Sequence, residues 1–250
     1  MPAIMNFSAI SRGTLLGRTL RGLLGAIPRE AVVPVLQGRL RGRKWIVGSC
    51  DHGCWLGSYE CPKQRLFSRT LQPGGTVFDV GAHAGFYTLL AAELVGPGGR
   101  VVSFEPLPRN LGYLRRHVQL NGCENVEVIA AAVCDRDGLG RFQPDESSLQ
   151  GRLSDEGALR VPTVRLDSLV SAGTIPPPNF VKMDIEGGEF RALRGGRETL
   201  AAARPVVFLA THGPEVHGRC CELLRQLDYR LEPVRPAESI QQTDEIIAYP

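Results

Sequence analysis

The sequence predicts an α/β fold in which a mostly parallel, seven-stranded sheet is covered by helices on both faces. After residue 75, short runs rich in β-branched residues alternate with helical stretches at the rhythm of βαβ units. The chain has 250 residues and 43% of them are hydrophobic. This is enough to fill one large core, and it excludes a disordered or fibrous protein.

Seven segments carry the strand pattern, and the helical segments between them begin or end at Gly or Pro. Strands are expected at residues 76–80, 100–104, 126–133, 180–184, 205–209, 230–234 and 245–249. Helices are expected at residues 84–95, 109–120, 188–202 and 214–227. Segment 135–178 interrupts the alternation with many Ser and Gly residues and three consecutive prolines, and contains one short strand pattern at 161–166. We interpret it as an insertion next to the site, within a core of residues 70–250 that follows an N-terminal helical cap of residues 1–69.

The N-terminal segment 11–27 has the pattern of a basic amphipathic helix, with Leu and Ile on one half of the helical wheel and Arg18 and Arg21 on the other. Three interpretations stay open: packing on the core with solvated arginines, peripheral contact with an anionic membrane, and a targeting segment. Each glycine in the segment weakens an isolated helix by roughly 1 kcal/mol, which favours a helix that needs a docking partner.

The charge distribution and the cysteine count restrict the partners and the compartment. The net charge is +3, yet residues 1–45 contain eight basic residues and one acid, Glu30. Nucleic-acid-binding proteins usually spread basic residues over the folded core, so no nucleic-acid partner is expected. No apolar run approaches the roughly 18 residues of a spanning helix, and the seven cysteines form no regular disulfide framework. We therefore predict a cytoplasmic protein.

Four of the possible thiolate and imidazole ligands lie close together in sequence: Cys50, His52, Cys54 and Cys61. Four such groups can hold zinc. Their spacing matches no C-x2-C pair, and secluded cysteines are common core residues. We therefore interpret these residues as packing and predict no metal there.

Residues 77–88 place a strand, a glycine loop and a helix start in succession. Gly81 and Gly85 let the backbone pass close to a ligand. Free N–H groups at the helix start favour the negatively charged end of that ligand. A dinucleotide fingerprint requires G-x-G-x-x-G and a P-loop requires Gly-Lys-Ser/Thr, whereas this loop reads G-x-x-x-G. Asp79 beside the loop would repel a pyrophosphate and attract an ammonium group, such as that of S-adenosylmethionine.

A second carboxylate follows at the end of the next predicted strand. Glu105 lies twenty residues after Gly85, where it can accept hydrogen bonds from both hydroxyls of an unphosphorylated ribose. The loop and Glu105 together indicate a nucleoside cofactor with a cationic end. An NAD-linked oxidoreductase is the rival interpretation, and the missing third glycine and Asp79 disfavour it.

Three polar side chains follow the ends of two later strands. Asp184 and Glu186 come after the fourth core strand and His212 after the fifth, so all three are expected at the sheet edge where ligands bind in parallel sheets. They can deprotonate a hydroxyl, steer a sulfonium group or share a divalent cation, and His212 has a near-neutral reference pKa. Glu189 is expected to point along the following helix, where an acid favours the helix dipole.

Several segments, in this order and spacing, resemble the FkbM family of S-adenosylmethionine-dependent methyltransferases: FDVGAHAGFYT, VVSFEPLPRN, VRLDSLV, VKMDIEGGEF and VVFLATHG. The resemblance covers roughly residues 70–250, and the DIEG tetrad at 184–187 is its most specific part. It implies a class I methyltransferase, that is a Rossmann-like fold, acting on a hydroxyl of a sugar or natural product. Family members commonly have Asn at the position of His83.

The expected site residues follow from the loop, the strand ends and the resemblance. We expect catalysis from Asp184, Glu186 and His212, with no metal assigned. Cofactor contacts are expected from Asp79, Gly81, Ala82, His83, Gly85, Phe86, Tyr87, Thr88, Glu105, Pro106, Asn110, Ala132 and Asp184. The segment at 45–60 resembles a preamble of some family members near the cofactor mouth, and the expected acceptor contacts there are Trp55, Tyr59 and Glu60.

These residues predict an S-adenosylmethionine-dependent methyltransferase, and the resemblance implies that it methylates a hydroxyl of a small molecule. One rival is the oxidoreductase named above. The other is a non-catalytic protein that keeps the fold and docks on membranes or partners through residues 11–27. Two neighbouring acids at Asp184 and Glu186 argue against a decayed cleft, since an idle cleft has little reason to hold them.

Overall fold

The computed structural model describes residues 14, 22, 24–144, 151–154 and 156–250. The predicted amphipathic helix at 11–27 lies mostly outside the described residues. Between residues 31 and 70, the N-terminal part forms an antiparallel pair of strands and two helices. These elements are β1 (Val32–Pro34), β2 (Lys44–Ile46), α1 (His52–Leu56) and α2 (Cys61–Thr70), with a 3-10 turn at Val47–Ser49.

The remaining strands and helices follow in alternation, apart from one block of consecutive strands. The first group is β3 (Thr76–Val80), α3 (Phe86–Val95), β4 (Arg100–Phe104), α4 (Pro108–Leu120) and β5 (Val126–Ile129). The block is β6 (Ala132–Val133), β7 (Gly138–Pro144), β8 (Gly151–Leu153) and β9 (Leu159–Val164), followed by α5 (Leu166–Ser171). The last group is β10 (Phe180–Met183), α6 (Glu189–Gly195), α7 (Arg197–Ala203), β11 (Val206–Ala210), α8 (Pro214–Gln226), β12 (Arg230–Pro233) and β13 (Glu245–Tyr249).

The central sheet has seven strands in the order β12-β13-β11-β10-β3-β4-β5. Strands β11, β10, β3, β4 and β5 run parallel, whereas β13 is antiparallel to both of its neighbours. Helices cover both faces because each parallel connection needs a crossover. This architecture confirms the predicted fold class.

The strand order changes direction between β3 and β10. The chain moves from β3 to β4 and β5 on one side, and from β10 to β11 on the other. The loops after β3 and β10 therefore diverge and leave a crevice at the carboxyl ends of these strands, as in other open α/β sheets. The fold thus positions a ligand site between the glycine loop and the loop at residues 184–188.

Two predicted elements are divided in the structure. The strand predicted at 126–133 ends at Ile129, because a tight turn at Ala131 carries the chain out of the sheet and into a second, four-stranded sheet of order β6-β9-β7-β8. The helix predicted at 188–202 breaks at Gly196, which ends α6 and begins α7. The segment predicted as an insertion contains most of that second sheet, and Phe142 of this sheet lies against Leu107 and Ala132.

The N-terminal elements share one hydrophobic core with the central sheet. Phe67 of α2 makes edge-to-face contacts with Tyr87 and Phe180, at ring centroid distances of 5.1 and 5.2 Å. Trp45 of β2 is fully buried and stacks on His117 of α4 at 3.9 Å. The first strand pair and α2 are therefore packed on the core, and the domain boundary at residue 70 stays a prediction. Among the described residues, no helix has both the length and the apolarity to cross a bilayer.

Candidate functional site

A cavity of about 320 Å³ lies in the crevice beyond β3, β4 and β10. Its walls come from the glycine loop, the segment after β4, the segment before β6, the loop after β10 and the N-terminal elements. The volume is in the range of small-molecule sites. The crevice that the strand order creates is therefore a lined cavity of the size expected for a cofactor site.

The glycine loop forms one wall and is held in place by its neighbours. The N–H groups of Gly81 and Ala82 both donate to the carbonyl of Phe104 at 3.0 Å. Gly81 has a φ of +79°, and a Cβ there would lie 2.0 Å from the carbonyl oxygen of Asp184. A side chain at this position is therefore sterically excluded. The glycine lets the glycine loop approach the loop after β10.

Asp79 does not line the cavity. It is only 1% exposed, its Oδ2 accepts a hydrogen bond from Thr88 at 2.6 Å, and its Oδ1 lies 3.4 Å from the ammonium of Lys182. Lys182, which does line the cavity, also donates to the carbonyl of Gly81 at 2.9 Å. The ammonium of Lys182 therefore lies beside Asp79, the carboxylate that the sequence predicted to bind the ammonium group of the cofactor.

Glu105 lies in the cavity wall at the end of β4, as predicted. One oxygen accepts the backbone N–H of His83 at 2.8 Å and the other accepts the backbone N–H of Leu107 at 2.9 Å. Burial raises the pKa of Glu105, although these two N–H groups and Asn110 oppose the shift. The carboxylate is thereby fixed in orientation and keeps further lone pairs for a ligand hydroxyl.

The segments after β10 and β11 bring together the three predicted catalytic residues, of which Asp184 and Glu186 line the cavity and His212 lies outside its wall. The Nε2 atom of His212 lies 3.3 Å from Glu186 and 3.8 Å from Asp184. Its other nitrogen, Nδ1, is hydrogen-bonded to Glu189 at 2.8 Å. Glu189 is 0% exposed and also accepts the backbone N–H of Gly187 at 2.9 Å. The prediction that Glu189 points along its helix is wrong, because its carboxylate turns back to organise this loop.

The charges of this cluster decide its protonation. The hydrogen bond to Glu189 raises the pKa of His212 to about 9, with burial opposing and the charges of Glu186 and Asp184 adding to the rise. Burial works against ionisation of Asp184, but the charges of Lys182, Lys63 and His212 outweigh it and lower its pKa. At neutral pH the imidazole is therefore protonated and Asp184 is ionised, which differs from the neutral histidine base suggested by the sequence.

Lys63 of α2 is a site residue that sequence reasoning missed. Its side chain is 5% exposed, and its ammonium lies 2.6 Å from Glu245, 3.5 Å from Glu60 and 3.6 Å from Asp184. These acids come from the N-terminal part, the loop after β10 and the last strand. No local pattern could have indicated this residue, because its partners lie up to 182 positions away in the sequence.

The three predicted acceptor residues lie on α1 and directly before α2. Tyr59 lines the cavity, whereas Trp55 and Glu60 are outside its wall. Glu60 accepts the phenol of Tyr87 at 2.9 Å, and burial raises its pKa. The segment before α2 thus contributes one wall residue and, through Glu60 and Lys63, a polar support behind the wall.

The predicted cofactor residues divide in the same way. Ten of them line the cavity: Gly81, Ala82, His83, Phe86, Tyr87, Glu105, Pro106, Asn110, Ala132 and Asp184. Three lie behind it: Asp79, Gly85 and Thr88. Thr88 is fully buried and bonds Asp79, and Gly85 begins α3 with a φ of +93°. These three support the loop rather than face the cavity.

One group of side chains among the described residues has the arrangement of metal ligands. Ligand atoms of Asp184, Glu186 and His212 lie within 4.8 Å of one another and can hold a cation. The cysteine cluster does not converge, since His52 accepts the indole N–H of Trp55 and Cys61 donates to the carbonyl of Ser58. The zinc alternative therefore finds no support in the part of the chain that the structure describes.

The fold is that of the class I methyltransferases. A crystal structure of a methyltransferase FkbM from Methylobacillus flagellatus KT matches 80% of this chain and 55% of its own, with a TM-score of 0.51 and 17% sequence identity. In sequence, residues 79–231 match the methyltransferase FkbM domain family. The chain belongs to this family, as the motifs of the glycine loop and the DIEG loop indicated.

Two named proteins are similar in sequence. The hexuronic acid methyltransferase AglP of Haloferax volcanii is 26% identical over 145 residues, which cover 57% of this chain and 59% of that protein. The 31-O-demethyl-FK506 methyltransferase FkbM of Streptomyces tacrolimicus is 29% identical over 159 residues, covering 50% of this chain and 60% of that protein. The chain thus spans about six tenths of the length of these relatives.

Proposed function

We propose that this protein transfers a methyl group from S-adenosylmethionine to a hydroxyl of a small sugar-like or natural-product-like acceptor. The observation that carries the proposal is one cavity that is lined by Glu105, Asp184 and Glu186, with His212 directly behind the two acids at 3.3 Å from Glu186 and 3.8 Å from Asp184. The named relatives methylate a hexuronic acid and a demethylated natural product, and this supports an oxygen-bearing acceptor.

The residues of the cavity fit the proposed cofactor. Glu105 is fixed by two backbone N–H groups and offers its remaining lone pairs to the ribose hydroxyls. Ala132, Leu107 and Phe142 form an apolar wall suited to a purine. Asp184 supplies negative charge for the cationic methionyl end. The direct ammonium contact predicted for Asp79 is assigned instead to a supporting role, holding Lys182 and Thr88 under the loop.

When bound, S-adenosylmethionine supplies a methyl group on a sulfonium sulfur. The chain's own contribution is to align the acceptor hydroxyl with that methyl and to accept the hydroxyl proton. We assign the proton-accepting role to the carboxylates of Asp184 and Glu186, because His212 is protonated at neutral pH. The imidazolium holds both carboxylates in place through Nε2, while Glu189 orients it through Nδ1. Alignment contributes most of the rate, and a base adds about 10²–10⁴-fold.

Cofactor binding is the first test. Isothermal titration with S-adenosylhomocysteine should show binding to the wild type and an affinity loss of about ten- to a hundredfold in Glu105→Gln, as expected for the loss of charge-assisted hydrogen bonds. Glu127→Gln is the matched control, since Glu127 lies on the adjacent strand and pairs with an exposed arginine. Binding of NADH with no binding of S-adenosylhomocysteine would support the oxidoreductase instead.

Methyl transfer is the second test. With isotopically labelled S-adenosylmethionine and a panel of sugars and polyols, the wild type should release labelled methyl ethers. Glu186→Gln and His212→Ala should retain affinity for S-adenosylhomocysteine while losing turnover. Full turnover in either variant removes that residue from the mechanism.

We further propose that the protein is cytoplasmic and touches membranes peripherally through residues 11–27. The charge and apolar pattern of that segment supports this proposal. Flotation with anionic vesicles should carry the full chain upwards and leave a chain without residues 1–30 at the bottom. Equal flotation of both chains would refute the membrane role of the segment.

A further inference from the structure

We propose that Cys50 is a site of covalent modification in the wall of the cofactor cavity, where it reacts with peroxides and then forms a disulfide with Cys54. The methyltransferase function proposed above does not use these residues. Both line the same cavity as the glycine loop and Glu105. Modification and cofactor therefore compete for one space.

The backbone brings the two thiols together. Cys50 ends the 3-10 turn at Val47–Ser49 in an extended conformation and is half-buried, whereas Cys54 lies inside α1 and is fully buried. The backbone N–H of Cys54 donates to the carbonyl of Asp51 at 3.1 Å, so that the first turn of α1 returns the chain towards Cys50. Cys50 and Cys54 are four positions apart, and both line the cavity.

The surroundings make the pair chemically unequal. The hydrogen bond from Cys54 lowers the pKa of Cys50 to about 5, with burial opposing and the hydrogen bond and charge of His83 adding to the lowering. Burial, together with the charges of Cys50, Asp51 and Glu60, raises the pKa of Cys54. Cys50 is thus a thiolate that a small molecule can reach through the cavity, and Cys54 is a thiol in the same cavity wall. Thiolates in such settings are the reactive form of cysteine.

The other half-buried cysteine provides a contrast. Burial raises the pKa of Cys123, and this residue lines a separate depression together with Arg43 and Asn121. Its thiol donates a long hydrogen bond of 3.9 Å to the carbonyl of Asn121. Cys123 therefore matches Cys50 in exposure but differs in charge state and location.

The reaction balances in two steps. The Cys50 thiolate attacks one oxygen of the peroxide, the O–O bond breaks, and Cys50 becomes a sulfenic acid while hydroxide leaves. The Cys54 thiol then attacks the sulfenic sulfur, an S–S bond forms, and the sulfenic oxygen leaves as a second hydroxide. The Cys54 proton and one from solvent convert the two hydroxides to water. The two sulfurs lose two electrons in total and the peroxide gains them.

The position of Cys50 links this chemistry to the cofactor. Cys50 contacts the side chain of His83, and the backbone N–H of His83 holds Glu105 in the cavity wall. A sulfenic acid or a disulfide removes the thiolate that holds the imidazole and adds or moves atoms inside the cavity. We expect the oxidised protein to bind S-adenosylhomocysteine more weakly, and bound S-adenosylhomocysteine to protect Cys50.

The experiment treats the full chain with hydrogen peroxide at pH 7 and maps the products by mass spectrometry. The expected product has lost two hydrogens and contains a peptide in which Cys50 is joined to Cys54. In Cys54→Ser, dimedone should trap Cys50 as a sulfenic acid. S-adenosylhomocysteine at about ten times its Kd should slow the oxidation about tenfold. Cys123→Ser is the matched control and should react like the wild type.

Each outcome decides a separate point. Oxidation that spares Cys50, or that is as fast at Cys123, overturns the proposal. Equal affinity of the reduced and the oxidised wild type for S-adenosylhomocysteine overturns the link to the cofactor. The variant Cys50→Ser should bind equally before and after peroxide. A reduced wild type that binds no S-adenosylhomocysteine refutes the proposed methyltransferase function instead, since the disulfide between Cys50 and Cys54 is still detected.

Discussion

The buried imidazole of His117 predicts an acid-sensitive connection between the N-terminal strands and the glycine loop. Its Nε2 atom accepts the backbone N–H of Ile46 at 3.0 Å, and its Nδ1–H donates to the carbonyl of Ala84 at 2.7 Å. The ring stacks on Trp45 at 3.9 Å. This arrangement requires the neutral ring with hydrogen on Nδ1, because a proton on Nε2 would face the N–H of Ile46.

The size and sign of the effect follow from the two pKa values. Burial lowers the pKa of His117 to about 4, with the bond to Ala84 opposing and the charge of Arg116 adding, whereas the unfolded chain titrates near pH 6.5. Between these values the unfolded state binds a proton that the folded state does not. The free energy of unfolding is therefore highest above about pH 6.5 and falls on acidification, by about 3 kcal/mol at pH 4.

The assay is urea unfolding followed by circular dichroism at several pH values between 7 and 4.5, for the wild type and for His117→Gln. The variant loses the aromatic stack and is less stable at pH 7, but glutamine does not titrate. Its stability deficit should therefore shrink by about 2 kcal/mol between pH 7 and pH 4.5. The carboxylates titrate in both proteins and cancel in the difference. Parallel pH profiles for the two proteins would refute the reasoning.

Two further predictions concern the site loop and the buried ammonium. Gly81→Ala should unfold the loop and abolish S-adenosylhomocysteine binding, because its Cβ would lie 2.0 Å from the Asp184 carbonyl oxygen. Gly74 has the same positive φ but open space around it, so thermal melts of Gly74→Ala should show a loss of stability of only about 1 kcal/mol. A comparable loss of stability in Gly81→Ala and Gly74→Ala would contradict the steric argument. Lys63→Met should cost roughly 3 kcal/mol at pH 7 in urea unfolding, since it removes a buried cation that three partly buried carboxylates share. The exposed pair of Arg116 should contribute under about 0.5 kcal/mol in Arg116→Met, and equal costs for the two variants would show that burial of the ion pair is irrelevant.

Local patterns predicted the central sheet closely because each strand is defined by its own residues. The strands at Thr76–Val80, Arg100–Phe104 and Glu245–Tyr249 have the predicted bounds. Since parallel strands end at one edge of the sheet, the positions of Glu105 and Asp184 at that edge followed from the strand pattern alone. The sequence did not predict the breaks in the strand at 126–133 and in the helix at 188–202. Both breaks, after Ile129 and at Gly196, depend on contacts with other parts of the chain.

The fold class, the family, the glycine loop and the strand ends that build the site could all be predicted from the amino-acid sequence, because they depend on periodicity and spacing within short stretches. Which charges meet depends on the packing: Lys63 pairs with Asp184 and Glu245, Lys182 with Asp79, and His212 with its buried acceptor Glu189. Such pairs join residues that are distant in the chain, and the protonation of each group depends on burial and on partners a few ångströms away. The sequence therefore predicted where the chemistry is located, and the packing decided the state of the groups that perform it.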